Sequence, residues 1–111
     1  MLVVVMEPGQ QPVQRILDAS TDAALLAALQ KCVGGYIQIV PRVQELQGFD
    51  VFCNEDGVRL GLAYNATLSG HRIVGPILVS RADANGTQIT LTIEEAERAS
   101  EVLRAARGAV Q

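Results

Sequence analysis

The chain has 111 residues and a mass of 11.8 kDa, which fits one domain and leaves no room for a catalytic domain beside a separate substrate domain. Apolar residues make up 49% of the chain and charged residues 19%, so a hydrophobic core can form and a disordered chain is excluded. The net charge is −3 and the arginines are scattered among acids, whereas a protein that follows nucleic-acid phosphates needs clustered positive charge. We therefore expect no nucleic-acid partner.

The first apolar run, Leu2 to Met6, is short and rich in β-branched residues, which predicts a strand buried on both faces. It is too short for a signal peptide or a membrane span, and no basic residue precedes it. We therefore expect a cytoplasmic protein that begins at Met1 and has no membrane contact. After a proline- and glycine-containing turn, Val13 to Leu17 is expected to return antiparallel as the second strand of a hairpin.

An amphipathic helix is predicted from Ala23 to Val33. The polar residues at positions 20–22 offer side-chain oxygens for its N-cap. Its apolar stripe recurs at i, i+4 and i+7 and consists of Leu25, Leu29 and Cys32. Gly34 suits the left-handed position that ends such a helix, because it has no β-carbon.

The middle of the chain is predicted to consist mainly of strands. Tyr36 to Val40 alternates as a strand would, and Pro41 ends it because proline cannot donate to a ladder. Phe49 to Cys53 and Val58 to Leu62 are predicted to form a hairpin. Its turn is the run Asn54 to Gly57, with the glycine in the left-handed conformation.

The next segment, Ala63 to Gly70, is small and polar, and it is predicted as an ordered loop with a helical turn at residues 66–68. Ile73 to Ser80 is strongly apolar, but the pair Gly75-Pro76 lies inside it, which predicts a bulged or edge-lying strand. Thr87 to Leu91 is predicted as a further short strand.

The C-terminal segment predicts a helix over residues 93–107. Thr92 and Glu95 stand at capping-box spacing before it. Strands in runs, without strict alternation of strand and helix, indicate a single α+β domain over residues 1–111. We expect a mainly antiparallel sheet of five to six short strands with two helices packed on it. The first helix should cover one face, and the second should lie against that face or an edge.

The cysteines, Cys32 and Cys53, lie in apolar contexts and are expected to be free thiols. A zinc site needs four clustered cysteine or histidine ligands, and the chain has one histidine, His71. We therefore expect no metal site, no cofactor and no disulfide.

Polar residues that could hold a ligand concentrate at Asn54 and Glu55, with Asn65 and Arg72 further along. Turn chemistry alone accounts for the first two, because Asn, Asp and Gly dominate turns for backbone reasons. A functional interpretation places all four residues around a small polar ligand. The arginine would bind an anionic group of the ligand, and the amides would hydrogen-bond to its donors and acceptors. The two asparagines need not meet, because the predicted hairpin carries Asn65 toward the end opposite its turn.

A catalytic alternative pairs His71 with Glu55 in a small hydrolase or transferase. Nothing in the spacing around His71 resembles a positioned nucleophile, so an exposed loop histidine explains it better. We assign no catalytic residue and favour a protein that is not an enzyme.

Several stretches resemble a family of small uncharacterised proteins found on phages, plasmids and conjugative elements, domain-of-unknown-function family 3846. They are the opening strand with its EPG turn (1–9), VGGYIQIVP (33–41), CNEDG with LGLAYN (53–65), and IVGPILV (73–79). The resemblance implies an accessory protein of a mobile element working inside a bacterial cell, and it implies no activity.

We therefore expect a non-enzymatic accessory protein that binds a host protein or a small signalling nucleotide. A homodimer or higher symmetric oligomer is also expected. The apolar runs at residues 2–6 and 73–79 suggest a sheet edge or face that a second copy covers, with burial inside the monomer as the competing explanation.

Overall fold

The structure, a computed structural model, describes residues 1–107, and these contain eight strands and two helices. In chain order the elements are β1 (Leu2–Met6), β2 (Val13–Ile16), α1 (Asp22–Val33), β3 (Ile37–Ile39), β4 (Asp50–Asn54), β5 (Tyr64–Leu68), β6 (His71–Val74), β7 (Ile77–Ala82), β8 (Gln88–Ile89) and α2 (Ile93–Arg107). A single turn of 3₁₀ helix, Gln44–Leu46, precedes β4.

Six of the strands form one antiparallel sheet in the order β2-β1-β7-β4-β3, with β8 paired to β7. Strands β5 and β6 form a separate two-stranded sheet. The α+β class, the mainly antiparallel sheet and the two helices are as the sequence predicts. None of the helices in residues 1–107 has the length and apolar character that a membrane crossing requires.

The central strands are buried on both faces, and alternate residues enter two different cores. On β1, Val3 and Val5 pack with the α1 residues Leu29 and Val33. Val4 on the same strand packs in the other cluster, which contains the buried residues of α2 and of the β5–β6 hairpin. The burial of β1 on both faces is as predicted.

The helices therefore lie on opposite faces of the sheet, α1 on one and α2 with the hairpin on the other. This differs from the expected packing of the first helix on one face with the second against that face or an edge. The reason is physical: strands that are apolar on both faces need a covering layer on each.

Both helices carry the predicted caps. Thr21 Oγ1 accepts from the Ala24 N–H at 3.0 Å, and Gly34 adopts φ +80° at the end of α1. At the start of α2, the Thr92 N–H donates to Glu95 Oε1 and the Glu95 N–H donates back to Thr92 Oγ1, at 2.8 and 3.1 Å. The capping-box prediction is confirmed.

The predicted hairpin of Phe49 to Cys53 with Val58 to Leu62 is wrong. β4 forms, but it is a central strand with β3 on one side and β7 on the other, so no edge remains for residues 58–62. These residues instead form successive turns, in which the Leu60 N–H donates to Asp56 O and the Leu62 N–H donates to Gly57 O. Gly57 is absent from the glycines with positive φ, so the predicted left-handed turn is wrong as well.

The segment predicted as a loop, Ala63 to Gly70, contains strand β5 and no helical turn at residues 66–68. It pairs with β6 through a two-residue turn, Ser69-Gly70, in which both residues have positive φ, +48° and +80°. Left-handed conformations at both central positions characterise a type I′ hairpin turn.

The apolar run Ile73 to Ser80 is not one bulged or edge-lying strand. It divides at Gly75-Pro76 into β6, in the small sheet, and β7, at the centre of the large sheet. Gly75 has φ +78°, a left-handed conformation that residues with a β-carbon rarely adopt, so this crossing between layers favours glycine.

The runs at residues 2–6 and 73–79 are covered inside the monomer, with Val3 to Met6 and Ile77 to Val79 fully buried. Burial inside the monomer therefore explains these apolar runs without a second copy. Self-association stays a prediction. Cys32 and Cys53 are free thiols and pack with opposite faces of the sheet.

Candidate functional site

A groove of about 190 Å³ opens where the end of β4 meets β3 and β6. Its walls are residues 38–41, residues 53–55, the pair Gly57 and Val58, and His71–Val74. The β5–β6 hairpin forms the roof, because it crosses the face of the large sheet that α1 leaves free. Two layers of the fold thus meet at the groove.

Three of the four predicted site residues, Asn54, Glu55 and Arg72, line this groove, and so does His71. Glu55 and Arg72 are exposed, so their charged groups are available to a ligand. Asn65 is not among the lining residues. The sequence thus grouped three residues that the fold brings together and one that it places elsewhere.

The carboxamide of Asn54 is largely committed to the fold. Asn54 is 5% exposed, and its Nδ2 donates to the Val33 carbonyl at 3.1 Å. Its Oδ1 accepts from the Asp56 N–H at 2.8 Å, closing an Asx turn after β4. This side chain joins the end of α1 to the end of β4 and shapes the groove wall.

Asn65 is a structural residue in the layer interface. It is 3% exposed, and Nδ2 donates to the carbonyl oxygens of Met6 and Gly75, both at 2.8 Å. These two bonds tie β5 to the end of β1 and to the crossing between β6 and β7. Within the described residues Oδ1 has no partner, and a buried amide oxygen of this kind is typically satisfied by an ordered water.

Arg72 carries the one groove guanidinium among the described residues, and an aromatic ring orients it. Its Cζ lies 4.8 Å from the centroid of the Tyr64 ring, a cation–π contact between β6 and β5. The Tyr64 hydroxyl is in turn hydrogen-bonded to Thr67 Oγ1 at 2.8 Å. The guanidinium is therefore partly ordered before any ligand arrives.

A second polar cluster sits beside the groove at the tip of the β5–β6 hairpin. The Ser69 N–H donates to Glu45 Oε2 at 2.9 Å and the Ser69 hydroxyl donates to Glu45 Oε1, while the Gln44 N–H donates to the same hydroxyl. The hydrogen bonds from Ser69 hold the pKa of Glu45 below its usual range, with a smaller contribution from the charge of His71. The cluster fixes the hairpin to the 3₁₀ turn.

The contacts of Glu45 and Ser69 bear on the alternative in which His71 and Glu55 form a catalytic pair. The carboxylate whose pKa responds to His71 is Glu45, and within residues 1–107 no hydrogen bond joins His71 to Glu55. Ser69 directs its hydroxyl to Glu45, so it is not positioned by His71 as a nucleophile would be. Across the described residues, no three His, Cys, Asp or Glu side chains are grouped closely enough to hold a metal ion.

Two further groove residues were not selected from the sequence as ligand contacts. Gln38 is the exposed polar residue within an otherwise apolar strand. A polar residue at this position of an apolar run is the feature of the sequence that could have indicated a ligand contact. Cys53 is half-buried in the wall, where burial raises the pKa of its thiol. Its apolar surroundings in the sequence gave no sign that it would border a groove.

A family model described as Domain of unknown function (DUF3846) matches residues 1–104. The chain belongs to this family. No curated protein and no solved structure matches the chain.

In this DUF3846 protein, three of the four stretches that carry the family resemblance lie at the groove, and residues 1–9 do not. Residues 33–41 include β3, residues 53–65 include the end of β4 and the loop after it, and residues 73–79 include the end of β6. Each of these three stretches contributes to the groove walls. Glu55 and Arg72 supply opposite charges there, while Gln38 supplies an amide that can both donate and accept.

Proposed function

We propose that this DUF3846 protein is a non-catalytic accessory protein of a phage or other mobile element, and that its groove binds a small signalling nucleotide. The observation that carries the proposal is the convergence of Glu55 and Arg72 with His71 in one groove. A nucleotide matches this set because it has an anionic phosphate at one end and N–H donors on the base at the other.

Arg72 is the group proposed to bind the phosphate. Its guanidinium is exposed and stacked on Tyr64, so less side-chain freedom is lost when a ligand binds. Guanidinium groups bind phosphate through paired, charge-assisted N–H···O bonds. Arg81, which borders a different cavity, is ion-paired with Glu95 at 2.5 Å and is therefore less available.

Glu55 and Gln38 are the groups proposed to read the base. The Glu55 carboxylate can accept from an amino or imino N–H, and the Gln38 amide can complement a donor–acceptor edge. Asn54 supports the wall, because both ends of its carboxamide are bonded to backbone. Asn65 is not part of the proposed contact set.

Isothermal titration calorimetry with a panel of mononucleotides and cyclic dinucleotides tests this function. At least one member of the panel should bind the wild-type protein. Arg72→Gln should weaken that binding by about tenfold to a hundredfold, because hydrogen bonds to charged groups contribute about 1.5–3 kcal/mol. The matched control is Arg15→Gln, an exposed arginine on β2 that lines none of the described cavities.

Three outcomes would contradict the proposal. Absence of binding by every nucleotide would leave a host protein as the expected partner. Equal weakening by Arg72→Gln and Arg15→Gln would place the binding outside the groove. Conversion of a nucleotide to product, lost in His71→Ala and in Glu55→Gln, would favour the hydrolase or transferase alternative.

A further inference from the structure

The two ends of the large sheet differ in how they are protected. Strand β2 ends the sheet on one side and carries Arg15, a charged residue of the kind that discourages edge-to-edge pairing. Strand β3 ends the sheet on the other side, and the run Tyr36 to Val40 has no charge. Tyr36 is 66% exposed and Ile39 is 51% exposed. The β3 edge is thus an apolar, uncharged edge open to solvent.

The backbone groups that this edge presents follow from its pairing with β4. The Glu55 N–H donates to Tyr36 O and the Val40 N–H donates to Val51 O, both at 2.8 Å. Residues of the same parity, 36, 38 and 40, therefore direct their backbone groups toward β4. Ile37 and Ile39 direct their N–H and C=O groups outward, away from the sheet.

We propose that two copies of this chain form a symmetric dimer by pairing their β3 strands antiparallel, with the two-fold axis at Gln38. In this register Ile37 lies opposite Ile39 of the partner subunit, and Ile39 lies opposite Ile37 of the partner subunit. Both outward-facing residues of each copy then form hydrogen-bonded pairs, and the large sheet continues across the axis.

Other registers use this edge less well. An axis at Ile39 would place Ile37 opposite Pro41, which has no N–H to donate. An axis at Ile37 would place Ile39 opposite Gly35, whose N–H already donates to Gln30 O at 3.0 Å. The axis at Gln38 is the register in which every outward-facing N–H and C=O of β3 gains a partner.

A second copy is the favoured occupant because the strand is complementary to itself. Pairing brings uncharged residues together, and like charges directly opposite one another, which destabilise a pair, are avoided. Isoleucine lies against isoleucine on the α1 face, which covers the exposed side of Ile39. A closed two-fold interface is also the commonest arrangement among soluble homo-oligomers.

In the dimer the grooves of the two copies lie side by side. This arrangement goes beyond the proposed function, which concerns one groove. Gln38 lines the groove, and across the axis it lies about 4.5 Å from Gln38 of the partner subunit between Cα atoms, as in a non-hydrogen-bonded pair. A two-fold axis perpendicular to the sheet keeps both grooves on the same face. Two grooves of about 190 Å³ each then open beside one another, and their combined volume lies at the lower end of the roughly 300–1,000 Å³ typical of small-molecule sites.

Charge reversal at the axis tests this pairing with the full chain and no ligand. Sedimentation equilibrium should give the wild-type protein twice the 11.8 kDa chain mass. Gln38→Lys alone and Gln38→Glu alone should each give the single-chain mass, because like charges then face one another across the axis. An equimolar mixture of the two variants should restore the doubled mass, since opposite charges then meet, and this recovery also shows that both variants are folded.

The matched control is Ile16→Lys, which places a charge on the exposed β2 edge, where Ile16 is 76% exposed. It should keep the doubled mass. A wild-type protein that stays at the single-chain mass across the accessible concentrations would overturn the proposal. A mixture of Gln38→Lys and Gln38→Glu that fails to associate, or an Ile16→Lys variant that dissociates, would overturn it as well. Because no ligand is present, these outcomes are independent of nucleotide binding.

Discussion

Asn54 Nδ2 donates to the carbonyl oxygen of Val33 at 3.1 Å, which links the last strand residue before the groove to the last residue of α1. Val33 is fully buried, so its carbonyl has little access to water. The same carboxamide accepts from the Asp56 N–H. One side chain thus sets the position of the helix end, the strand end and the turn that carries Glu55.

Asn54→Ala is expected to destabilise the protein by about 1–3 kcal/mol, because it leaves a buried carbonyl and a backbone N–H without partners. Urea unfolding monitored by circular dichroism measures this difference. Asn85→Ala, at an exposed loop position, is the control and should change the free energy of unfolding by less than about 0.5 kcal/mol. Equal effects of the two substitutions would show that the Asn54 bonds contribute nothing to stability.

Gly35→Ala should be destabilising for a related reason. A β-carbon at Gly35 would lie 2.9 Å from Asn54 Nδ2, closer than real β-carbons approach such atoms. The double variant Gly35→Ala/Asn54→Ala removes the opposing group, so its destabilisation should be smaller than the sum of the two single effects. A strictly additive double variant, measured by the same urea unfolding, would argue against this contact.

Asn65 offers a substitution whose effect depends on pH. Asn65→Asp replaces a donor with a carboxylate that faces the carbonyl oxygens of Met6 and Gly75. Only the protonated acid can donate to one of them, so the folded-state pKa of this aspartate should rise above its unfolded value. Stability should then be highest below the unfolded pKa and be lost as pH rises through the folded pKa.

Thermal unfolding of Asn65→Asp and wild type across the acidic to neutral range measures this dependence. The difference between them should grow as pH rises. Asn65→Leu, which cannot titrate, is the control and should be destabilised at every pH. A constant difference between Asn65→Asp and wild type would contradict the prediction.

The sequence predicted this fold where local pattern and tertiary context agree. Helix α1 and its caps, the capping box of α2 and the buried strand β1 each have a strong local pattern that the packing then uses. The strand predicted over Val58 to Leu62 does not form, because β4 already has a partner strand on each side, which is a property of the whole sheet. No periodicity near residue 58 contains that information.

Tertiary context also explains why the sequence did not predict the β5–β6 hairpin or the position of Asn65. Ser69-Gly70 is a compact reversal between Tyr64–Leu68 and His71–Val74, but the small polar residues of β5 masked its strand pattern. Glu55 and Arg72 line one groove, as the sequence-based grouping expects, because a polar turn and a strand end carry them to the same end of the fold. Asn65 lies outside the groove, and the sequence does not show this, because a buried amide that donates to two backbone carbonyls cannot be distinguished in sequence from an amide that is free to bind a ligand.

Glu45→Gln tests the tie between the 3₁₀ turn and the hairpin tip. Hydrogen bonds from Ser69 lower the folded-state pKa of Glu45, so the charged carboxylate stabilises the protein above its unfolded pKa. This stabilisation is lost as pH falls through the lowered folded pKa. The free energy of unfolding of wild type should therefore exceed that of Glu45→Gln near neutral pH, and the difference should shrink in acid.

Urea unfolding at a series of pH values measures that difference. Glu101→Gln, an exposed glutamate in α2, is the control and should track wild type. A difference between wild type and Glu45→Gln that grows in acid would contradict the assignment of the Ser69 bonds as the cause of the lowered pKa.

The thiols should differ in reactivity. Cys53 borders the groove and is half-buried, so iodoacetamide should alkylate it slowly at neutral pH and faster as pH rises, because burial raises its pKa. Cys32 is buried between α1, to which it belongs, and the large sheet, so it should react after denaturation. Mass spectrometry of each cysteine peptide distinguishes the two, and faster alkylation of Cys32 in the native protein would contradict this ranking.

The proposed function depends most on the groove being a binding site. The most direct measurement is an experimental structure of the protein purified from its natural host, inspected for non-protein density. Density of a phosphate-bearing ligand is expected beside Arg72, in the space bounded by residues 38–41, the end of β4 and β6. A groove that holds only water, in a protein whose co-purified ligand lies elsewhere or is absent, would contradict it.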